Sequence, residues 1–324
     1  MNKEKIAVIL FQLGGPDSIN SVEEFLYNLF SDPDIFDFPF ASLIRKPLAF
    51  LISSRRVRTV QHHYISIGGK SPILDITNQQ AAELEKELKK SYDAKVFVAM
   101  RYFYPKIESV VEKLSKTNFD KHILLPLYPQ YSKTTTGSSL KEWERQCRKQ
   151  KFLPKNQKII NNFYDNELYI EAIVEQINNT LSKFKVNHED IMIVFSAHGV
   201  PLNLIENGDP YKEEIEKTVN YVIQKGMWKS EHILCYQSKV GPLKWLEPSL
   251  IDTVTKLVTE GKKNLLIVPI SFVSEHLETL YEINIQVRQL ANELGVEQYE
   301  MMPALNTHPK FIEALKNLVI KSCQ

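Results

Sequence analysis

Two stretches of this chain place a histidine or a set of acids directly after an apolar run, a pattern able to hold a divalent metal and move protons. The first is Ser196-Ala197-His198-Gly199-Val200-Pro201, which follows IMIVF. A neutral imidazole is both a borderline-soft metal ligand and a base poised near neutral pH. The competing reading is a turn histidine that hydrogen-bonds its own loop. The second is Ser271-Phe272-Val273-Ser274-Glu275-His276-Leu277-Glu278, which follows LLIVPI. Ser274 suits a helix N-cap, and Glu275, Glu278 and Glu282 then stand at i, i+3 and i+7 on one helix face. Acids in a first turn complement the helix dipole by ~0.3–1 kcal/mol each. That accounts for the acids but not for His276, which forms a cation and opposes the dipole. A carboxylate face sharing a site with His198 makes a His/Glu pair suited to a divalent first-row metal.

Three further segments could grip a ligand. Arg55-Arg56 and YISIGGKSP at 64–72 form a basic, glycine-bearing region. The planar guanidinium suits carboxylates, although from spacing alone a solvated basic turn is the better reading. YPQYSKTTTGSS at 128–139 is rich in hydroxyls and could hold an anion or simply face water. It lacks the GxxxxGK[ST] order of a phosphate loop, which argues against nucleotide binding, and no GxGxxG occurs, which weakens a nicotinamide reading. QSKVGP at 237–242 leads to Trp245, either a flat apolar wall or ordinary packing.

These segments need elements to position them. Short β-branched runs alternate with longer amphipathic ones, the signature of parallel sheets with crossover helices. Strands are predicted at 6–13, 95–101, 122–127, 191–196, 232–237 and 264–270. Helices are predicted at 21–30, 78–88, 105–114, 167–181, 212–223 and 276–294. At 324 residues the chain exceeds what one core comfortably serves, so two domains are expected. Each half opens on an apolar strand running into a turn motif, LGGP at 13–16 and SAHG at 196–199. The polar stretch 149–158 divides them, giving domains at 1–155 and 156–324. The fold class is α/β, with two similar Rossmann-like, doubly wound parallel-sheet domains and a cleft between them. In open α/β sheets ligands bind beyond the carboxyl ends of the strands, where the motifs above fall.

Composition narrows the partners. Forty basic against thirty-nine acidic residues leave no field to steer nucleic acid. Cys147, Cys235 and Cys323 have no CxxC spacing, so neither a disulfide framework nor a zinc site is suggested. The apolar start ends at Gly14-Gly15-Pro16 and reads as a strand rather than a signal peptide. The apolar stretch 36–53 is interrupted by Pro39, Arg45, Lys46 and Pro47, too soon for a membrane span. A reducing, cytoplasmic setting is expected.

Taken in order, LGGP at 13–16, Arg55-Arg56, IGGKSP at 67–72, Arg101-Tyr102, YPQYS and TTGSS within 128–139, SAHGVP at 196–201, GDPY at 208–211, QSKVGP at 237–242 and SEHLETLYE at 274–282 resemble the ferrochelatase family. The resemblance covers nearly the whole chain. It implies a chelatase-like fold, insertion of ferrous iron into protoporphyrin or coproporphyrin, and His198 with Glu278 at the metal site. Glu275, His276 and Glu282 are secondary metal candidates. It further implies that Arg55, Arg56, Ser71 and Arg101 approach the porphyrin and its propionates, and that Leu13, Tyr64, Tyr128 and Trp245 line the pocket. The stretch 36–53 resembles a lip able to touch a membrane surface. Lys133 stands where iron–sulfur-bearing members carry a cysteine, so no such cluster is expected. Gln286 stands where a third carboxylate often follows Glu282. Members acting on the four-propionate ring tend to carry Tyr where this chain has Leu13, which favours protoporphyrin. The rival readings are a chelatase for another metal and a tetrapyrrole or iron carrier without turnover.

Overall fold

The computed structural model describes residues 3–35, 41–239 and 243–324. It contains eight strands among the described residues: β1 (Lys5–Gln12), β2 (Asp93–Met100), β3 (Lys121–Pro126), β4 (Gln157–Ile159), β5 (Ile191–His198), β6 (His232–Gln237), β7 (Asn264–Pro269) and β8 (Gln298–Met301). They form two parallel sheets, ordered β2-β1-β3-β4 and β6-β5-β7-β8. The reason is legible in β1, β5 and β7. Runs such as AVILF, IMIVF and LLIV are buried along their whole length, as parallel strands covered by helices on both faces must be.

All six expected strands are present within a few residues. Two of the four edge strands, β4 and β8, were not expected. They are short and interleave polar residues, so they lack both the apolar run and the length that mark a central strand. Helices Val22–Phe30, Ile73–Leu88, Ile107–Ser115, Glu167–Leu181 and Tyr211–Gly226 match the amphipathic readings. A further helix, Ala41–Ser66, runs through Pro47, a residue read in the sequence as an interruption. Of the stretch 36–53, residues 36–40 lie outside the described residues. Among the described residues, no helix is long and apolar enough to cross a membrane.

The chain divides into two compact units, Met1–Asn162 with Leu315–Gln324, and Phe163–Ala314. The end of the last helix, Pro309–Cys323, thus belongs with the first unit rather than with the segment 156–324. Lys121, which opens β3, donates from Nζ to the Cys323 carbonyl at 2.5 Å, anchoring the chain end to the first sheet. A core of Ala7, Ile9, Phe11, Leu124 and Trp143 serves the first unit, with Trp143 edge-on to Phe11 at 5.8 Å. The second unit packs Val194, Leu265, Ile267, Ile283 and Val254.

In each sheet the chain steps from its first strand outward to one side, then returns to the other side of that strand. The switch points therefore lie between β1 and β3 and between β5 and β7, where open α/β sheets leave room for ligands.

Candidate active site

His198 is the last residue of β5, and its backbone is clamped on both sides. Its N–H donates to Ser271 Oγ at 3.0 Å, and Tyr211 Oη donates to its carbonyl at 3.0 Å. The turn that follows requires glycine, because a Cβ on Gly199 would lie 2.8 Å from the Gln237 carbonyl oxygen. Nδ1 of His198 lies 2.6 Å from the Gly199 carbonyl oxygen. A carbonyl only accepts, so Nδ1 carries the proton and Nε2 keeps its lone pair. Burial lowers the His198 pKa below the ordinary histidine value, although the Glu278 carboxylate pulls the other way. Burial thus favours the neutral imidazole, and the bond to Gly199 places its proton on Nδ1.

The segment after β7 departs from the helix expected at 276–294. Residues Glu278–Val287 form a π-helix, with i→i+5 bonding, and a short α-helix, Arg288–Glu293, follows. Ser274 does not cap it; its carbonyl instead accepts from His276 Nδ1 at 3.0 Å. Glu275 lies before the helix and so does not share a face with the later acids. Its carboxylate accepts from the Ala304 N–H at 2.8 Å and from the Thr279 hydroxyl.

His276 turns its Nε2 to Glu278 Oε2 at 2.9 Å. Burial opposes charge on both groups, yet the mutual attraction and the hydrogen bond win, raising the His276 pKa and lowering that of Glu278. Both shifts favour the imidazolium–carboxylate form of the pair. Phe272 stands edge-on to both rings, 6.2 Å from His198 and 4.5 Å from His276. Glu282 accepts a short hydrogen bond from Ser238. Among the described residues no three His, Cys, Asp or Glu side chains are preassembled as a closed ligand set. Trp245 is half-buried against the SAHGVP turn, its ring edge 3.3 Å from where a Gly199 Cβ would stand.

The first unit holds the remaining expected residues. Gly14, at φ +85°, lets LGGP pass within about a Cβ contact of Met100 and Phe103, and the Leu13 carbonyl accepts from Tyr102 N at 3.0 Å. Ser71 is buried under the same loop; its N–H donates to Pro16 O at 2.8 Å, and its Oγ would lie 2.5 Å from a Gly15 Cβ. Tyr64 is buried, while Arg55 and Arg56 are exposed on helix Ala41–Ser66. Arg56 lies 5.6 Å over the Phe30 ring. Burial raises the Tyr128 pKa.

Arg101, which the resemblance places near the porphyrin and its propionates, already has a partner within the first unit. Its Nη2 pairs with Asp32 Oδ2 at 2.9 Å and its Nε donates to Ser138 Oγ at 2.7 Å. The same Asp32 oxygen accepts from Tyr102 Oη and Ser138 Oγ, each at 2.5 Å. Asp32, whose side chain is wholly buried, was missed in the sequence. The only signal was an acid in SDPD directly after an apolar helix.

A family model described as Ferrochelatase matches residues 5–323. The ferrochelatase of Aquifex aeolicus is 49% identical over 315 residues, covering 97% of this chain and 98% of its own. This chain belongs to the ferrochelatase family. The ferrochelatase of a Sulfurihydrogenibium species is 45% identical, covering 99% of this chain and 100% of its own. As a ferrochelatase, this protein is a lyase that inserts ferrous iron into a porphyrin in heme synthesis. The fold has wider relatives. SirB from Bacillus subtilis, solved with Fe3+, aligns with a TM-score of 0.56 at 15% identity, over 98% of this chain and 95% of its own. CbiX, the terminal enzyme of siroheme biosynthesis in denitrifying bacteria, aligns at 0.53 and 10% identity, over 98% and 99%. At those identities the likeness concerns the ferrochelatase fold alone.

Proposed function

We propose that His198 and Glu278 carry out metal insertion and that protoporphyrin is the ring metallated. The observation that supports the roles is the Nδ1–H···O=C bond of His198, which leaves Nε2 unprotonated near an ionised Glu278. Metallation releases two pyrrole protons as one Fe2+ enters, so net charge is conserved. His198 Nε2 accepts the protons in turn and passes them to solvent. Glu278, kept ionised by His276, stabilises the transient His198 imidazolium and the incoming cation. A flat macrocycle hides its lone pairs in the ring plane, so holding it bent accelerates the step.

The substrate preference rests on Leu13 and on the state of Arg101. Leu13 offers an apolar edge, favouring a vinyl group by roughly 25 cal/mol per Å² removed from water. Arg101 already has Asp32 as its counter-charge, so an added propionate there would gain little and lose hydration. Arg55 and Arg56, both exposed, then serve the dicarboxylate edge. In direct competition kcat/KM is expected to be higher for protoporphyrin IX than for coproporphyrin III, and Leu13→Tyr to move the ratio towards coproporphyrin. A wild-type preference for coproporphyrin would refute the assignment.

Two partner readings go with this. Ile44, Phe50 and Leu51 are exposed on helix Ala41–Ser66, which supports peripheral contact with a lipid surface from a cytoplasmic location. Co-sedimentation with vesicles tests it, and recovery of all the protein in the supernatant would reject it. Cys147 and Cys235 are buried, and burial pushes both thiols up to about 12. This supports a chain without an iron–sulfur cluster; stoichiometric iron and sulfide in the purified protein would count against that.

A further inference from the structure

The GDPY segment at 208–211 ends on a residue that holds His198. Gly208, at φ +82°, turns the chain, and the buried Asp209 accepts from the Tyr211 N–H at 3.1 Å. Tyr211 thereby opens helix Tyr211–Gly226 with its ring buried and its hydroxyl at the end of β5. There it donates to the His198 carbonyl at 3.0 Å, and it also hydrogen-bonds the Ser271 side chain. The one phenol proton is spent on the carbonyl, so Tyr211 Oη accepts from Ser271. Ser271 Oγ in turn accepts from the His198 N–H at 3.0 Å. The cycle is closed. Each hydroxyl gives one hydrogen bond and takes one, and the backbone N–H and carbonyl of His198 are both held. Ser271 lies just past β7, directly before Phe272, which stands edge-on to His198 and His276. The cycle therefore ties the end of β5 to the segment that carries His276 and Glu278.

We propose that Tyr211 and Ser271 are positioning residues for iron insertion. By holding the His198 backbone on both sides they keep Nδ1 on the Gly199 carbonyl, which leaves the Nε2 lone pair available for the reaction. This rests on the role given above to His198. Neither hydroxyl needs to meet the porphyrin or the iron, because displacing a reacting group by about 1 Å can alone cost on the order of 10²-fold in rate.

The full-length protein, assayed with Fe2+ and protoporphyrin, tests this. Tyr211→Phe removes the hydroxyl and keeps the buried ring. It is expected to lower kcat about tenfold, inside that range, with the KM for porphyrin unchanged. Ser271→Ala breaks the cycle at its other member and is expected to lose at least as much. Ser271→Thr, which keeps the hydroxyl, is expected to retain most of the activity. In nitrogen-15 spectra of histidine-labelled protein, the His198 signals are those that His198→Ala removes. They are expected to show Nδ1–H alone in the wild type and a mixture of both tautomers in Tyr211→Phe. In a His198→Ala background Tyr211→Phe is expected to add nothing. An unchanged kcat in Tyr211→Phe, or a lowered one with the Nδ1–H tautomer intact, would overturn the proposal. Near-normal turnover by His198→Ala would instead remove the reading on which it rests, whatever Tyr211 does.

Discussion

Iron insertion is expected to fall by about 10²–10⁴-fold in His198→Ala, the range for loss of a positioned acid–base group, with little change in melting temperature. The side chain makes one hydrogen bond, to its neighbour's carbonyl, while the strand end is held by backbone bonds that alanine retains. Glu278→Ala is expected to lose a comparable factor, because it leaves the buried His276 without its counter-charge and the incoming cation without an anion. The two losses should not multiply, since both side chains act in the same step. The pH profile gives an independent check. His198 works as the neutral form, so kcat/KM should rise with pH through its pKa and level off above. Burial depresses that pKa, which puts the acidic limb below the ordinary value of about 6.5. An acidic limb above that value, or a His198→Ala enzyme within a few-fold of wild type, would contradict the assignment.

The second large effect concerns stability. Asp32→Ala is expected to cost about 3–5 kcal/mol, as breaking a buried ion pair from one side does. Asp32 accepts from three donors on one oxygen, and among the described residues Arg101, 13% exposed, pairs with no other carboxylate. Joint replacement, Asp32→Ala with Arg101→Met, should recover much of the loss, because no charge is then stranded. Urea unfolding of the three variants distinguishes the outcomes. A loss under about 1 kcal/mol for Asp32→Ala would mean that water reaches Arg101 and solvates it.

Much of this was legible in the residues. The buried runs of β1, β5 and β7 are unmistakable as parallel strands, and the turn motifs after them mark the ligand side of each sheet. His198 could be placed at a strand end, and its chemistry follows from its side chain. Its tautomer could not, because that depends on the Gly199 carbonyl lying 2.6 Å from Nδ1. The helix after β7 was visible only as a helix. Residue types over so short a segment do not tell i→i+5 from i→i+4 bonding; in the fold, Ile283 and Val287 of the π-helix are buried in the core of the second unit. The helix begins only after Glu275, which takes that acid off the face of the later ones and leaves its carboxylate to Ala304 and Thr279.

Pairings between distant charges were the least visible. Asp32 and Arg101 lie on different elements, as do Ser238 and Glu282, and nothing local in either segment reports its partner. The sequence by itself determined the α/β class, the strands of the two cores and the residue types at their carboxyl ends, because apolar periodicity and turn chemistry are local. The tertiary structure alone decided which charges are neutralised, which imidazole carries a proton and which hydroxyl faces which carboxylate. Those properties depend on burial and on distances of a few ångströms between segments that only folding brings together.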